Sequence, residues 1–251
     1  MALTFASKLI APLAVAVAAL GGGAVGWVAH GGAAQAGGEA AARAYIADHP
    51  DAVPGMLDQI RQNAAAAALS PVRVQVETPF PGAVLGNPRG RVTLVEFLDY
   101  ACGYCRKSVP DVEQLIAANP DLRVVVREWP ILTPESADAA RMALAAAAQG
   151  KFAAFHVAMF GAGRPSAETI AQAAQAAGLD MARAGRDANA AAVKREIAET
   201  GALARRIGAE GTPTWEIDGQ IMVGAVGSDT LAGAIADARA KVGPAGQIAA
   251  K

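Results

Sequence analysis

The sequence has little of what metal sites and covalent staples need, because its 251 residues include only two cysteines and three histidines. Structural zinc sites use four ligands, commonly with several cysteines, whereas this chain offers one pair of cysteines and otherwise only three histidines. Aromatic residues make up 5% of the chain, and 22 basic against 23 acidic residues leave a net charge of −1. This balance excludes the strongly basic surface with which proteins bind nucleic acids. We therefore expect no nucleic-acid partner and no cofactor.

The two cysteines are Cys102 and Cys105, separated by only two residues. A disulfide stabilises a fold more when it closes a longer loop, so a bridge across two residues is a poor structural staple. The same spacing is typical of redox-active dithiols. Attachment of a c-type haem would need histidine after the second cysteine, and the chain has Arg106 there. The pair therefore predicts thiol–disulfide chemistry, with Cu(I) binding by the two thiolates as an alternative.

The N-terminal segment, residues 1–36, is predicted to be a signal peptide or a membrane anchor. Lys8 precedes an apolar run over residues 9–29, and the small residues Ala34 and Ala36 flank Gln35 as at a signal cleavage site. The apolar run is also about long enough to span a bilayer. Both readings place the rest of the chain outside the cytoplasm, in the periplasm or a similar extracytoplasmic space.

Residues 37–70 are predicted to form a helical N-terminal extension with a narrow apolar stripe. This stripe either packs on the main domain or makes residues 39–69 a stalk through which copies of the chain associate. It consists of Val53, Leu57, Ile60 and Ala64. Residues 71–90 are rich in proline and glycine, which indicates a connector and entry loop.

The main domain, residues 91–243, has the pattern of an α/β fold. A nearly continuous apolar run predicts a buried strand over 92–98, followed by a helix over 105–119 and a strand over 122–129. Residues 134–208 have helical periodicity throughout, and two short strands over 214–218 and 220–223 form a hairpin before a last helix that begins at Ser228. The order is βαβ, a helical insertion, and ββα.

The cysteine pair is predicted to lie where the first strand of this domain ends and its helix begins. Unpaired amides in the first turn of a helix stabilise negative charge, and Arg106 and Lys107 would add cations nearby. We expect Cys102 to be the exposed nucleophile. Cys105, further inside the helix, would be the resolving thiol.

These motifs resemble the thioredoxin superfamily, and within it the DsbA-like proteins of the bacterial envelope. Cys-Gly-Tyr-Cys opens the predicted helix, Pro110 matches the proline inside the active-site helix, and Gly211-Thr212-Pro213 matches the loop before the last hairpin. A helical insertion between the two halves of the fold is typical of the DsbA-like group. Residues 97–100, residues 127–132 and the helical extension are similar to the ScsC-like periplasmic members.

The resemblance implies roles for three further residues. Pro213 would be preceded by a cis peptide bond and face the cysteines, and Thr212 would lie near the attacking sulfur. Glu96 stands where DsbA-like proteins carry a buried acid. A buried carboxyl has a raised pKa and could relay a proton to or from Cys105; the alternative is that Glu96 faces a solvated patch or an ion pair.

The resemblance also implies a thioredoxin fold and a protein disulfide oxidoreductase or isomerase. Its substrates would be the thiols and disulfides of exported proteins, and a membrane redox partner would recycle the cysteine pair. Two alternatives stay open: a copper-binding thiol protein of the envelope, in which Cys102 and Cys105 would be the ligands, and a holdase-like binding protein that uses the helical insertion.

Overall fold

The computed structural model describes residues 38–242, so the predicted signal peptide or anchor over 1–36 lies outside the described part. The chain divides into two units between Ile60 and Arg61. In the first unit, helix α1 over 38–48 is followed by a 3-10 turn, Pro50–Ala52, and by the start of helix α2, Val53–Leu69. Among the described residues, no helix is both long enough and apolar enough to cross a membrane.

The second unit is built on one mixed sheet of five strands in the order β1-β3-β2-β4-β5. The strands are β1 Val84–Gly86, β2 Val92–Leu98, β3 Leu122–Glu128, β4 Thr214–Ile217 and β5 Gln220–Val223. The central pair β2 and β3 is parallel, with Glu96 opposite Val126, and the other neighbouring strands are antiparallel. Parallel pairing requires a crossover, and helix α4, Gly103–Ala118, provides it. The predicted thioredoxin-type α/β architecture is confirmed.

The predicted helical insertion consists of five helices between β3 and β4. They are α5 Pro134–Ala147, α6 Phe152–Gly161, α7 Ala167–Ala176, α8 Met181–Ala188 and α9 Ala191–Arg206. The side chains of Thr133 and Ser166 cap α5 and α7 by accepting from backbone amides of the first turn, which explains where both helices begin. The last helix, α10, Ser228–Val242, begins at the residue that the sequence predicts.

The two faces of the sheet bury different groups of side chains. Leu94, Leu98 and Trp215 face the larger core, which also takes in α4, α10 and most of the insertion. Val95 and Phe97, which alternate with them, face a smaller core with Leu69, Val72, Val76, Trp129 and the end of α9. Residues i and i+2 of a strand share one face, so Glu96 of β2 and Glu128 of β3 both lie on the face that carries α4.

The prediction that residues 71–90 are only a connector loop is wrong. This segment contains helix α3, Arg73–Glu77, whose Val76 is buried, and strand β1, which pairs with β3. Leu69, which was assigned to the extension, is also buried in the smaller core of the second unit. The prediction failed because proline and glycine dominate the local sequence and hide the strand. The strand forms because β3 provides a partner for its backbone hydrogen bonds.

A buried arginine connects α3, β3 and α9. Arg127 is 3% exposed, and its guanidinium donates to the carbonyl oxygens of Gln75, Val76 and Thr78. It also donates to Glu196 Oε1 at 2.6 Å. These hydrogen bonds satisfy carbonyls where α3 ends, so Arg127 fixes the entry of the chain into the sheet.

Candidate active site at the Cys102–Cys105 pair

The cysteine pair lies at the junction of β2 and α4, as the sequence predicts. Cys102 is the N-cap residue of α4, and its Sγ accepts a hydrogen bond from the Cys105 amide at 3.4 Å. The Cys102 amide donates to the carbonyl of Asp99 at 2.9 Å, which closes the turn between strand and helix. The sulfur of Cys102 is therefore placed against the first turn of a helix, where amides and the helix dipole favour negative charge.

The loop before β4 covers Cys102. The peptide bond between Thr212 and Pro213 is cis, as the resemblance implies, and the Thr212 carbonyl accepts a hydrogen bond from Cys102 Sγ at 3.2 Å. Cys102 is only 5% exposed, so the prediction of an exposed nucleophile is wrong. The covering carbonyl comes from a residue 110 positions away, which local sequence does not reveal. The Thr212 hydroxyl is also buried and has no hydrogen-bond partner among the described residues.

Cys105 lies deeper than Cys102, with 1% of its surface exposed. Burial raises the pKa of the Cys105 thiol far above its usual value, and the nearby Glu96 carboxylate raises it further. A thiol in such a place stays protonated until a base removes the proton. Cys102 caps α4 and Cys105 lies inside its first turn, and the roles of attacking and resolving cysteine stay a prediction.

Glu96 is a buried acid, 3% exposed, in the middle of the otherwise apolar strand β2. Burial raises the pKa of its carboxyl from 4.5 to about 8. The alternative of a solvated patch is therefore wrong. A carboxyl whose pKa lies near the pH of the surrounding solution can both accept and return a proton.

Asp99 joins the cysteine turn to the segment after β3. Its carboxylate accepts from the amide of Ala101 at 2.8 Å and from the amides of Ile131 and Leu132 at 2.8 and 2.9 Å. The side chains of Ile131 and Leu132 are 46% and 51% exposed, and that of Tyr104, inside the Cys-Gly-Tyr-Cys motif, is 62% exposed. An apolar surface thus lies beside the candidate active site.

Arg106 was expected to add a positive charge near the sulfur, but its hydrogen bonds go to another part of the fold. Its guanidinium donates to the carbonyl oxygens of Phe160 and Gly163, the latter at 2.6 Å, and lies over the Phe160 ring. Arg106 therefore ties α4 to the end of α6. The carbonyls that follow the last turn of α6 lack helical partners, which explains their attraction for a cation.

Three buried polar side chains that the sequence did not identify also lie close to the cysteines. The Tyr100 hydroxyl lies 3.1 Å from Glu128 Oε1 and 3.3 Å from His156 Nδ1, and all three residues are buried. Burial raises the pKa of Glu128 and lowers that of His156 to about 4. The signal available in the sequence was Glu128 itself, an acid at the end of the strand predicted over 122–129.

The cysteine pair is not part of a larger cluster of metal ligands. Within residues 38–242, no three or more histidine, cysteine, aspartate or glutamate side chains are arranged to hold a metal ion. The arrangement can instead support disulfide exchange, since it combines a helix-capping sulfur, a deeper thiol and a buried acid that can carry a proton.

The buried acid should make stability depend on pH, and a Glu96→Gln variant would test this. Glu96 is protonated in both folded and unfolded chains below about pH 4; as the pH rises toward 8, only the unfolded chain ionises, so folding loses stability through this window. At about 1.4 kcal/mol per pKa unit, Glu96→Gln should be more stable than the parent by a few kcal/mol near pH 8 and equal near pH 4. Urea unfolding across this range measures the difference. The exposed control Glu210→Gln should keep the parent's pH dependence, and the same behaviour in Glu96→Gln would contradict the prediction.

Comparison with known proteins supports the same chemistry. The chain is 44% identical to a thioredoxin-like oxidoreductase from Silicibacter pomeroyi, with a TM-score of 0.60 over 62% of this chain and 91% of the other. It is 28% identical to the thiol–disulfide exchange protein α-DsbA2 from Wolbachia pipientis, with a TM-score of 0.65 over 72% and 98%. A linker-deletion variant of Proteus mirabilis ScsC, at 23% identity and a TM-score of 0.67 over 81% and 95%, shares the fold.

Two sequence matches complete the comparison. A stretch of 150 residues is 32% identical to a Na⁺/H⁺ antiporter, NhaA, from Herminiimonas arsenicoxydans; it covers 59% of this chain and 24% of the antiporter, so the chain spans about a quarter of that relative. Residues 93–236, more than half of the chain, match the family of DSBA-like thioredoxin domains. The chain belongs to this family and is an oxidoreductase of the DsbA-like thioredoxin fold.

Proposed function

We propose that the protein carries out thiol–disulfide exchange on exported proteins through Cys102 and Cys105. The observation that carries this proposal is the position of the two sulfurs. Cys102 Sγ caps α4 at 3.4 Å from the Cys105 amide and lies 3.2 Å from the Thr212 carbonyl, while Cys105 is buried behind it. This arrangement supports Cys102, at the start of the helix, as the thiol that meets a partner, and Cys105 as the thiol that completes the exchange.

In the reducing direction, the Cys102 thiolate attacks one sulfur of a substrate disulfide, and the other sulfur leaves as a thiolate that takes a proton from water. Cys105 then loses its proton and attacks Cys102 Sγ, which releases the second substrate thiolate and leaves a Cys102–Cys105 disulfide. Two electrons pass to the substrate. Oxidation of a substrate dithiol is the same sequence in reverse. Isomerisation uses only the first step, forward and then in reverse, with a different substrate thiolate attacking the mixed disulfide and releasing the Cys102 thiolate.

Glu96 is the base proposed for the second step. Because the pKa of the Cys105 thiol is strongly raised, this thiol needs a proton acceptor inside the protein. The carboxylate of Glu96 acts electrostatically on Cys105 and is buried on the same face of the sheet as α4. Its pKa of about 8 suits it to take up the proton when the disulfide forms and to return it when the disulfide is reduced.

The substrates and location follow from the surroundings of the site. The apolar surface of Tyr104, Ile131 and Leu132 suits incompletely folded polypeptides, which still expose apolar side chains. A redox-active dithiol that serves such chains works where disulfides form, which agrees with the extracytoplasmic location that residues 1–36 predict. A membrane redox partner would then restore the cysteine pair after each turnover.

Exchange by the full chain tests this function directly. The oxidised protein, mixed with a reduced peptide that contains two cysteines, should give one peptide disulfide for each pair of protein thiols formed, as counted by mass spectrometry after alkylation. Equilibration with glutathione gives the redox potential: a value near about −120 mV indicates a dedicated oxidant, and one between about −180 and −230 mV indicates an isomerase-like or glutaredoxin-like role. A protein that exchanges no disulfide with peptide or glutathione would overturn the proposal.

The helical extension is proposed to associate copies of the chain. Leu57 and Ile60 of the predicted stripe are 47% and 61% exposed, and Tyr45, Ile46 and Met56 of the same unit are exposed as well. Apolar side chains spaced along a helix are commonly buried against a second helix. Bringing several active sites together would favour isomerisation, since one site holds a chain while another attacks it.

Sedimentation equilibrium of the full chain should therefore show an oligomer at micromolar concentration. A Leu57→Glu, Ile60→Glu double variant should sediment as a monomer, because it places charges in the apolar stripe. Val74, which is 79% exposed on α3 and outside the stripe, offers the control Val74→Glu, which should leave the oligomer intact. A monomeric parent chain would sink this proposal.

A further inference from the structure

Three buried polar side chains next to the cysteine pair have no role in the exchange as derived so far. Tyr100 comes from the turn after β2, Glu128 from the end of β3 and His156 from α6. The Tyr100 hydroxyl joins the other two at 3.1 and 3.3 Å. Glu128 Oε2 is buried and has no hydrogen-bond partner among the described residues, which would be costly for a charged carboxylate. This hydrogen-bonded series of three side chains is therefore built around a carboxyl that holds a proton.

The inner end of this hydrogen-bonded series, Glu128, lies near the acid that serves the cysteine pair. In the parallel pairing, Glu96 lies opposite Val126 and Leu98 lies opposite Glu128, so the two acids are diagonal neighbours on one face. Diagonal neighbours in a sheet are within reach of each other's long side chains, and Glu96 acts electrostatically on both Glu128 and Tyr100. Tyr100, Glu128 and His156 make up this cluster. The titratable groups of neighbouring elements that act on it are Glu96 of β2, Asp99 of the following turn and Cys105 of α4.

The outer end of the series, His156, lies beside a cavity that opens at the surface. His156 lines a cavity of about 310 Å³ between α4, α6 and β1, together with Val109, Ile116, Glu113 and Val157. Glu113 is exposed and Val157 is 48% exposed, so the cavity opens to solvent. A buried carboxyl, a phenol and an imidazole thus form a hydrogen-bonded series whose last member faces a solvent-connected space.

Each member of the series can pass a proton on. A carboxylic acid, a phenol and a neutral imidazole all both donate and accept hydrogen bonds, so the direction of the two bonds at Tyr100 can reverse. Burial lowers the pKa of His156 to about 4, which keeps the ring neutral and able to accept at one nitrogen while it donates from the other. No member has to hold a full charge for long.

We propose that Glu128, Tyr100 and His156 carry the proton released by Cys105 from Glu96 to the cavity beside α4. This deepens the proposed function and rests on it. When Cys105 Sγ bonds to Cys102 Sγ, the Cys105 proton goes to Glu96; it passes to Glu128, the phenol relays it to His156 Nδ1, and His156 Nε2 releases a proton to water in the cavity. Reduction of the pair reverses each transfer, and electrons move only between sulfurs.

Ellman's reagent, applied to the reduced full chain, separates the two halves of the reaction in one stopped-flow trace. Attack by Cys102 releases a first equivalent of coloured thiolate and forms a mixed disulfide, and attack by Cys105 releases the second equivalent. Tyr100→Phe keeps the ring and removes the hydroxyl, and His156→Asn keeps a hydrogen-bond acceptor, the amide oxygen, near the Nδ1 position but cannot relay a proton. In both variants the first phase should keep its rate, and the second should slow by about tenfold or more and show a larger solvent deuterium isotope effect, because proton removal from Cys105 then limits it.

The control is Phe155→Leu, which disturbs the edge-to-face packing on the Tyr100 ring without touching the series of hydrogen bonds. Its second phase should match the parent's. A second phase at the parent rate in His156→Asn would overturn the relay even if Tyr100→Phe were slow, because the hydrogen bond alone would then suffice. A parent chain that releases no second equivalent would count against the proposed function itself, so the two failures are distinguishable.

Discussion

Cys102→Ser should lose exchange with peptide disulfides by about three orders of magnitude or more, down to the uncatalysed rate. Removing the nucleophile of an enzyme has effects of this size, and a serine hydroxyl does not replace a thiolate as attacker of a disulfide. Cys102 is also the residue whose sulfur caps α4, but serine is itself a strong N-cap, so the variant should fold normally. The rate of peptide disulfide formation, together with circular dichroism, checks both statements.

Cys105→Ser should behave differently, and the contrast is the sharper result. With the deeper thiol replaced, Cys102 still attacks but nothing resolves the product, so a mixed disulfide with the peptide should accumulate and be visible by mass spectrometry. Equal loss of the first step in both variants would contradict the assignment of Cys102 as attacker and Cys105 as resolver. Full activity of Cys102→Ser in a cellular assay would instead favour a binding protein that does not use its cysteines.

Arg127→Met should lower the free energy of unfolding by about 3–5 kcal/mol. The substitution removes the guanidinium that satisfies the carbonyls of Gln75, Val76 and Thr78, and it leaves Glu196 without its 2.6 Å partner. Breaking a buried ion pair by deleting one member has costs of this size, because the remaining groups are buried without partners. Urea unfolding at neutral pH gives the value. The midpoint concentration of urea should fall, while the slope of the unfolding free energy against urea stays nearly unchanged.

A matched control is available on α5. Arg141 pairs with Asp138 at the surface, so Arg141→Met deletes the same kind of side chain from an exposed ion pair and should cost less than about 1 kcal/mol. A combined Arg127→Met, Glu196→Gln variant should recover part of the stability, because it no longer leaves a partly buried carboxylate without its partner. Similar losses in Arg127→Met and Arg141→Met would show that the buried pair carries no special weight.

Much of the fold could be predicted because its signals are local. The strand over 92–98 is a run of large apolar residues, and the structure has it at Val92–Leu98. The last helix was expected to begin at Ser228, and α10 begins there. Strand β1 was missed because only three residues form it, among prolines and glycines, and its identity comes from pairing with β3.

The candidate site was predictable in its residue types but not in its enclosure. The spacing of Cys102 and Cys105 indicates redox chemistry without any knowledge of the fold. The cover over Cys102 is the Thr212 carbonyl, which arrives only when β4 pairs with β2. Likewise, a tyrosine, a glutamate and a histidine from three distant elements have no spacing that would connect them in the sequence.

The carboxylate of Asp99 has a consequence for how this chain and its relatives can diverge. It holds residues 131 and 132 through their backbone amides, which every amino acid except proline provides. The side chains of Ile131 and Leu132 point into solvent and take no part in that attachment. If the proposed exchange on polypeptides holds, substitutions there would alter which of them are recognised while the turn that carries Cys102 keeps its shape, so selectivity could evolve separately from reactivity.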